Sequence, residues 1–480
     1  MFPPLQDLYR IAPEIVLCAA GMLIMVIDPF VAAGHKRSMG WLGFAGTLIA
    51  LASLRWAAMN TGPAYSGLLR MDMFSLFVHG IVISVAALAI LGSFDYLDRE
   101  GIQRGEYYAL ILFATAGMGI LASANELITA FIGLEMSSIS TYILAGFRRN
   151  VLKSNESSLK YFLLGSFATA FFLYGIALTY GATRSTRFDV INQAIANHGT
   201  GTLLILGLGL IFVGLGFKVV AAPFQIYTPD VYEGAPTPVT AILACGPKAA
   251  AFAVMLRIFY SAFGNASHVW FWAIWVSAVL TMCIGNFAAL VQTNVKRLLA
   301  YSSIAHAGYI LVAFVAASQM GAAAVLFYLA AYAAMTLGAF LIVAHVGGTG
   351  EQRLNISDYA GLGTRHPWIA ACFALFLFSL LGLPATAGFL GKFYAFQAAL
   401  DQRIVWLVVI AAINSVIGAY YYLKVVVAMY FNEPNKEWAP TPMHAPMFIV
   451  LLITASATIY LGILPNRLME FAIASARSLR

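Results

Sequence analysis

The chain has 480 residues, 61% of them hydrophobic and only 10% charged, with a formal net charge of +7 and a mean hydropathy of +0.84. That balance excludes a soluble globular domain of this length and points to an integral membrane protein. The excess of Lys and Arg lies in loops between apolar runs, so it describes topology and gives no ground for a nucleic-acid partner.

Runs of about 20 apolar residues are long enough to cross the hydrocarbon core as helices. They predict an all-α polytopic membrane protein with about fourteen spans, at 10–30, 38–60, 72–93, 107–123, 126–147, 159–181, 203–222, 236–263, 269–291, 299–317, 320–346, 368–398, 403–431 and 445–466. The first run lacks a basic n-region and a cleavage site and reads as a retained helix. Loops with His35, Lys36, Arg37, Arg99, Arg104, Arg148, Arg149, Lys153, Lys296, Arg297, Arg353, Arg365 and Lys436 alternate with loops that hold chiefly Arg70, Arg184, Arg187 and Arg403. The positive-inside rule puts the first set in the cytoplasm and both termini in the periplasm. Cys18, Cys245, Cys283 and Cys372 stand alone inside predicted helices and read as packing residues, not metal ligands or disulfides. The Gly-rich pieces "GLGLIFVGLG" and "GGTGEQR" lack the strand-to-helix context of a phosphate loop.

Two segments interrupt their spans with Pro, Gly and polar residues: "GFKVVAAPFQIYTPDVYEGAPTPVT" at 216–240 and "GLPATAGFLGKFYAF" at 382–396. They fall five helices apart, and a unit of five crossings repeated directly must invert in the membrane. This predicts two inverted five-helix repeats, each with one broken helix. The divisions are a three-helix N-terminal segment (1–100), repeats at 101–265 and 266–432, and a C-terminal loop and helix (433–480).

Charges inside the spans carry the chemistry. Glu135, Lys218, Lys248 and Lys392 lie near helix centres, where a charge costs roughly 2.5–3.5 kcal/mol on insertion scales and therefore faces a bundle interior or water. A Glu and a Lys that pair and separate form a proton switch, since burial disfavours the charged form of each and pairing restores it. The expected arrangement is Glu135 paired with Lys218, with Lys248 passing protons onward, His306 as an intermediate and Lys392 as a further relay candidate beside the second break. His306, Lys160 and Lys424 are weaker candidates; Lys160 and Lys424 equally fit side chains that snorkel to the interface. Arg257 reads as an interface anchor, and Asp230 and Glu233 as groups steadying the first break.

The stretches "FIGLEMSSISTYIL", "GFKVVAAPFQIYTPDVYEGAPTPVTA", "NVKRLLAYSSIAHAGYIL" and "LPATAGFLGKFYAF" resemble the proton-conducting membrane family shared by respiratory complex I and Mrp-type cation/proton antiporters. The resemblance implies that Glu135, Lys218, Lys248 and Lys392 are the family's relay residues, in a translocating but non-redox membrane subunit of an NADH:quinone oxidoreductase. It implies no cofactor or metal in this chain, with NADH, FMN, iron-sulfur clusters and quinone handled by other subunits. It further implies other membrane subunits of the complex, neighbouring antiporter-like subunits among them, as partners, protons as cargo, and a bacterial inner-membrane location. An Mrp-type Na⁺/H⁺ antiporter subunit, a free-standing secondary carrier and a membrane scaffold are the competing readings. One departure stands out: where the family's seventh helix commonly reads Phe-His-x-Trp-x-Pro-Asp, this chain has Phe224, Gln225, Ile226, Tyr227, Thr228, Pro229 and Asp230. Gln225 does not titrate.

Overall fold

A computed structural model describes residues 4–433 and 443–479, so Lys436 lies outside the described residues. The N-terminal segment contains α1 (Ala12–Ile27), α2 (Arg37–Met59) and α3 (Met73–Glu100). It is followed by α4 (Gly105–Ser123), α5 (Leu127–Ala145), α6 (Leu152–Thr183), α7 in two pieces (Thr202–Val219 and Thr228–Gly234) and α8 (Thr237–Leu256). Then come α9 (Ser267–Leu290), α10 (Val295–Val315), α11 (Gln319–Val346), α12 in two pieces (Pro367–Leu381 and Ala387–Asp401), α13 (Val405–Phe431) and α14 (Ala445–Ile463).

Among the described residues, thirteen helical segments are long and apolar enough to cross a membrane. The predicted span 368–398 is different. Its two pieces have 15 residues each, or about 22 Å at 1.5 Å per residue, and only together match a hydrocarbon core of about 30 Å. Sequence reading missed a small hairpin (Gly62–Ala64 with Leu69–Met71) and the helices Phe188–His198 and Asn466–Arg477. All three lie outside the membrane runs, and the two helices are too polar on one face to register in a search for apolar spans.

The breaks have identifiable causes. After Val219 the chain enters the left-handed region at Val220 (φ 65°), and Pro223 offers no N–H to continue the helix. α9 takes up the freed groups: Ser277 Oγ donates to the Ala222 carbonyl (2.6 Å), and Ala222 N–H donates to Thr281 Oγ1 (2.7 Å). α12 breaks at Gly382 (φ 94°), a left-handed cap followed by Pro384. Its second piece returns so closely that a Cβ on Gly388 would lie 1.8 Å from the Ser379 carbonyl oxygen. Gly388→Ala should therefore push backbone against backbone. Small-to-large changes cost about 1–3 kcal/mol even when only side chains must yield, so the variant is expected to accumulate poorly in the membrane, as read by immunoblot against wild type.

The α4–α5 and α9–α10 pairs share one geometry. Leu127 N–H donates to Thr186 O and Phe188 N–H to Asn125 O; Val295 N–H donates to Leu354 O and Ile356 N–H to Thr293 O. Leu127 to Val295 is a step of 168 positions, and the same step relates the other three pairs of residues. The helix caps follow it: Glu126 accepts from Thr129 N–H, and Asn294 from Arg297 N–H. So do the closest backbone contacts, where a Cβ on Gly117 would sit 2.6 Å from Ser137 N and one on Gly285 2.6 Å from Ala305 N. With each helix crossing once, the two links lie on opposite faces.

Candidate functional site

Lys218, Lys248 and Lys392 are all buried, with relative exposures of 8%, 1% and 6%. Lys218 and Lys392 reach the two helix breaks, whereas Lys248 lies inside α8. Lys218 is the second-last residue before the break in α7. Its Nζ contacts Tyr142 Oη at 3.2 Å and lies over the rings of Tyr142 (4.9 Å), Tyr161 (5.4 Å) and Phe217 (5.7 Å). Gly165 on α6 leaves the room for Tyr142, because a Cβ there would overlap its hydroxyl. Lys392, on the second piece of α12, reaches back to the break and donates to the Leu381 carbonyl (2.7 Å), which the interrupted helix leaves without an intrahelical partner. It also donates to Ser415 Oγ (2.8 Å) and faces the Tyr309 ring (4.8 Å).

Lys248 follows Pro247 inside α8 and donates across to α10, to Ser303 O (2.8 Å) and Ser303 Oγ (2.5 Å), with the Tyr332 ring on its other side (5.0 Å). The same step of 168 positions that relates the two helix pairs carries Glu135 onto Ser303. The second pair thus presents to Lys248 a hydroxyl where the first pair has a carboxylate.

His306 joins this group. Its Nδ1 faces Tyr328 Oη (2.9 Å) and its Nε2 faces Tyr422 Oη (3.1 Å), while Tyr422 Oη and Ser302 Oγ share a hydrogen bond of 2.5 Å. Tyr332 stands between Lys248 and His306, 5.3 Å from the imidazole ring. Toward Lys392, Asn286 links Tyr309 Oη (3.1 Å), Tyr421 Oη (3.1 Å) and Asn414 Oδ1 (3.3 Å), one residue from Ser415. The Tyr332 hydroxyl and Thr336 Oγ1, one turn apart on α11, are both buried.

Three expectations change. Glu135 and Lys218 form no ion pair among the described residues: Tyr142, two turns along α5 from Glu135, occupies the place beside the ammonium, and Glu135 Oε1 is buried with no partner. Lys160 lies away from the buried lysines, half-exposed and paired with Glu156 (2.7 Å) and Asp230 (2.8 Å); Arg297 binds Asp230 and Glu233 at 2.9 Å each, so these carboxylates do steady the second piece of α7. Arg257 is no interface anchor but half of a buried pair with Asp72 (2.6 Å), and its Nε donates to the Ala122 carbonyl. Lys424 donates to the Gln292 carbonyl at 3.4 Å and lines an open cleft with Thr293 and Asn355, apart from the other lysines. Gln225 is buried, and its Oε1 has no hydrogen-bond partner.

A family profile described as "NADH:quinone oxidoreductase/Mrp antiporter, TM" matches residues 124–418, a region that contains all four expected relay residues. The chain belongs to this family. Within the NADH:quinone oxidoreductase/Mrp antiporter family its likeness is to subunit N. NADH-quinone oxidoreductase subunit N 1 of Solibacter usitatus is 49% identical, covering 99% of this chain and 98% of the relative. Subunit N 2 of Koribacter versatilis is 50% identical over the same shares. Among solved structures, a chain of respiratory complex I from Thermus thermophilus superposes with a TM-score of 0.81 at 34% identity, covering 95% of this chain and 98% of that one. A chain of the Mrp complex from Dietzia sp. gives a TM-score of 0.86 at 21% identity, covering 99% and 98%, a likeness of fold alone.

The family assignment sharpens the contrast among buried cations. Lys296 and Arg257 hold carboxylates at 2.9 and 2.6 Å. Lys218, Lys248 and Lys392 have only hydroxyls, carbonyls and aromatic faces, and among the described residues no carboxylate approaches them within 4.0 Å. The hydroxyls of Tyr142, Ser303, Tyr422 and Ser415 were not singled out from sequence. Their only signal is a polar atom inside an apolar run, which many lipid-facing Ser and Tyr share.

Proposed function

We propose that this chain is a proton-translocating membrane subunit of an NADH:quinone oxidoreductase, moving protons through Glu135, Lys218, Lys248, His306 and Lys392 while quinone is reduced elsewhere in the complex. The observation that carries the relay is the set of three buried lysines held by neutral groups alone. An ammonium with a carboxylate partner is locked in its charged form. One that faces a serine hydroxyl can give up its proton, and the resulting amine then accepts a hydrogen bond from the same hydroxyl. Ser302, Tyr422, His306, Tyr328, Tyr309 and Asn286 offer donors and acceptors between Lys248 and Lys392. The inverted five-helix repeats are part of the same reading, supported by the constant step of 168 positions. NADH, FMN, iron-sulfur clusters and quinone belong to other subunits, and neighbouring membrane subunits face Glu135, which is half-buried in the single chain.

The test uses inverted membrane vesicles carrying the assembled complex, with NADH oxidation and proton uptake followed together. Glu135→Gln and Lys392→Ala are expected to lower proton uptake several-fold and to slow coupled NADH oxidation with it. Unchanged uptake in both variants would remove the relay. The Mrp-type reading is favoured by no separate observation, since the likeness to the Mrp chain is one of fold.

A further inference from the structure

The N-terminal segment holds a buried titratable pair outside the matched region. Glu14 on α1 and His79 on α3 approach at 2.6 Å (Oε1 to Nε2), with side-chain exposures of 6% and 1%. His79 Nδ1 lies 2.6 Å from the Ser75 carbonyl oxygen. A carbonyl only accepts, so Nδ1 carries a hydrogen and Nε2 is left to face the carboxyl. Two acceptors at 2.6 Å repel, so one proton sits between Nε2 and Oε1, giving either imidazolium with carboxylate or imidazole with carboxylic acid. Both forms are neutral overall. Loss of that proton leaves a net charge of −1 and returns two lone pairs to contact.

The space is built for this pair: a Cβ on Gly119 of α4 would lie 2.7 Å from Nε2 and 2.8 Å from Oε1. Glu14 Oε2 is buried with no hydrogen-bond partner, which leaves an acceptor free. From His79 the contacts run outward. Ser75, which binds Nδ1 through its carbonyl, exchanges hydrogen bonds with Asp72 in a capping box at 2.9 Å each way. Asp72 binds Arg257, where α8 passes into a π turn (Arg257–Ala262). Arg257 and Arg70 line an open cavity of about 540 Å³ with Asn125 and Asp189 on the face that carries the N-terminus. The other titratable or charged groups that face the pair are Cys18, one turn along α1, Arg257 itself, and Tyr65, which bonds Asp7 through its backbone N–H.

We propose that Glu14 and His79 form a further proton-binding site, one that exchanges its shared proton with water on the N-terminal face during turnover. The proton leaves from between Nε2 and Oε1 and passes to water, leaving a net charge of −1 on the pair. The site lies on the N-terminal segment and meets the repeats at Gly119 of α4 and at Arg257, nine residues beyond Lys248. The inference rests on the proton-translocating reading above.

The test measures proton uptake per NADH oxidised by assembled complex in inverted vesicles, for Glu14→Gln, Glu14→Asp and Lys248→Ala side by side. E14Q keeps a polar contact to Nε2 but holds no dissociable proton; E14D keeps the proton. Uptake is expected to fall three-fold or more in E14Q and to recover most of the way in E14D. Wild-type uptake in assembled E14Q, equal deficits in the two variants, or loss of assembly in both would assign the pair to packing and overturn the proposal. If E14Q alone fails to assemble, the pH profile of E14D decides: it shifts if Glu14 exchanges protons and superimposes on wild type if not. Normal uptake in K248A removes the underlying reading, whereas a silent K248A beside a normal E14Q removes this site alone.

Discussion

Replacing Lys248 with alanine is expected to cut proton uptake at least ten-fold in complex that assembles normally, and Lys248→Arg is expected to do no better. The ammonium binds Ser303 O and Ser303 Oγ and faces Tyr332, so its removal strands one residue's hydroxyl and one ring, not a carboxylate. No opposite charge is left unpaired, and assembly should survive. Transfer is another matter: a ten-fold loss needs only about 1.4 kcal/mol on the barrier, and alanine takes away the titrating atom itself. The arginine variant separates the two roles a cation can have. A guanidinium keeps the positive charge but does not release a proton in proteins, so a fixed structural cation would be rescued by it and a relay would not. Proton uptake and NADH oxidation measured together in inverted vesicles check the result; near wild-type uptake in K248R would assign Lys248 to packing.

Glu351→Gln should cost the subunit about 3–5 kcal/mol, the usual penalty for removing one member of a buried ion pair. Glu351 Oε2 binds Lys296 at 2.9 Å and lies 3.6 Å from Arg148, whose other partner is Glu100 at 2.9 Å. Its Oε1 accepts from Tyr96 Oη (2.8 Å) and Thr237 N–H (2.9 Å). Five stretches of chain meet at this carboxylate: the ends of α3 and α5, the starts of α8 and α10, and the loop after α11. In E351Q, Lys296, whose side chain is wholly buried, keeps only the Ala235 carbonyl (2.6 Å). Burial pushes the Glu351 carboxyl up, but the Lys296 charge and the hydrogen bonds from Thr237, Lys296 and Tyr96 bring it below the usual carboxylate range. A carboxyl depressed on folding contributes stability that is fully present above its unfolded value of about 4.3 and is lost as pH falls through the folded value. The gap in thermal stability between wild-type and E351Q complex is therefore expected to be constant near neutral pH and to narrow below about pH 4.3. A gap that persists unchanged at low pH would mean that the carboxylate charge is not what holds the cluster.

The membrane class, the crossings and the central lysines were legible because a charge in an apolar run is conspicuous at any register. The two breaks announced themselves through Pro and Gly. The partners of the charges were not legible. Ser303 and Tyr332 sit on helices buried on nearly every side, so no apolar-to-polar periodicity shows which face they present. Arg257 was misread because its carboxylate lies 185 positions earlier, in the cap of α3. The cluster around Glu351 was overlooked because "GGTGEQR" reads as a polar loop, and nothing local shows that its Glu turns inward to Lys296. Glu135 and Lys218 were expected to pair, yet Tyr142 intervenes, since helix packing and not sequence distance decides which side chain reaches the ammonium.

If the three lysines form the proposed relay, their neutral surroundings also bear on which cation it would carry. A dehydrated alkali ion needs a shell of oxygens to replace its water. At Lys248 the ammonium already engages both Ser303 oxygens, and the Tyr332 ring lies 5.0 Å away. A proton, by contrast, needs only a lone pair on nitrogen and a hydroxyl to receive it. On the proposed relay, three lysines with no carboxylate within 4.0 Å among the described residues would favour a proton over an alkali ion by chemistry instead of size.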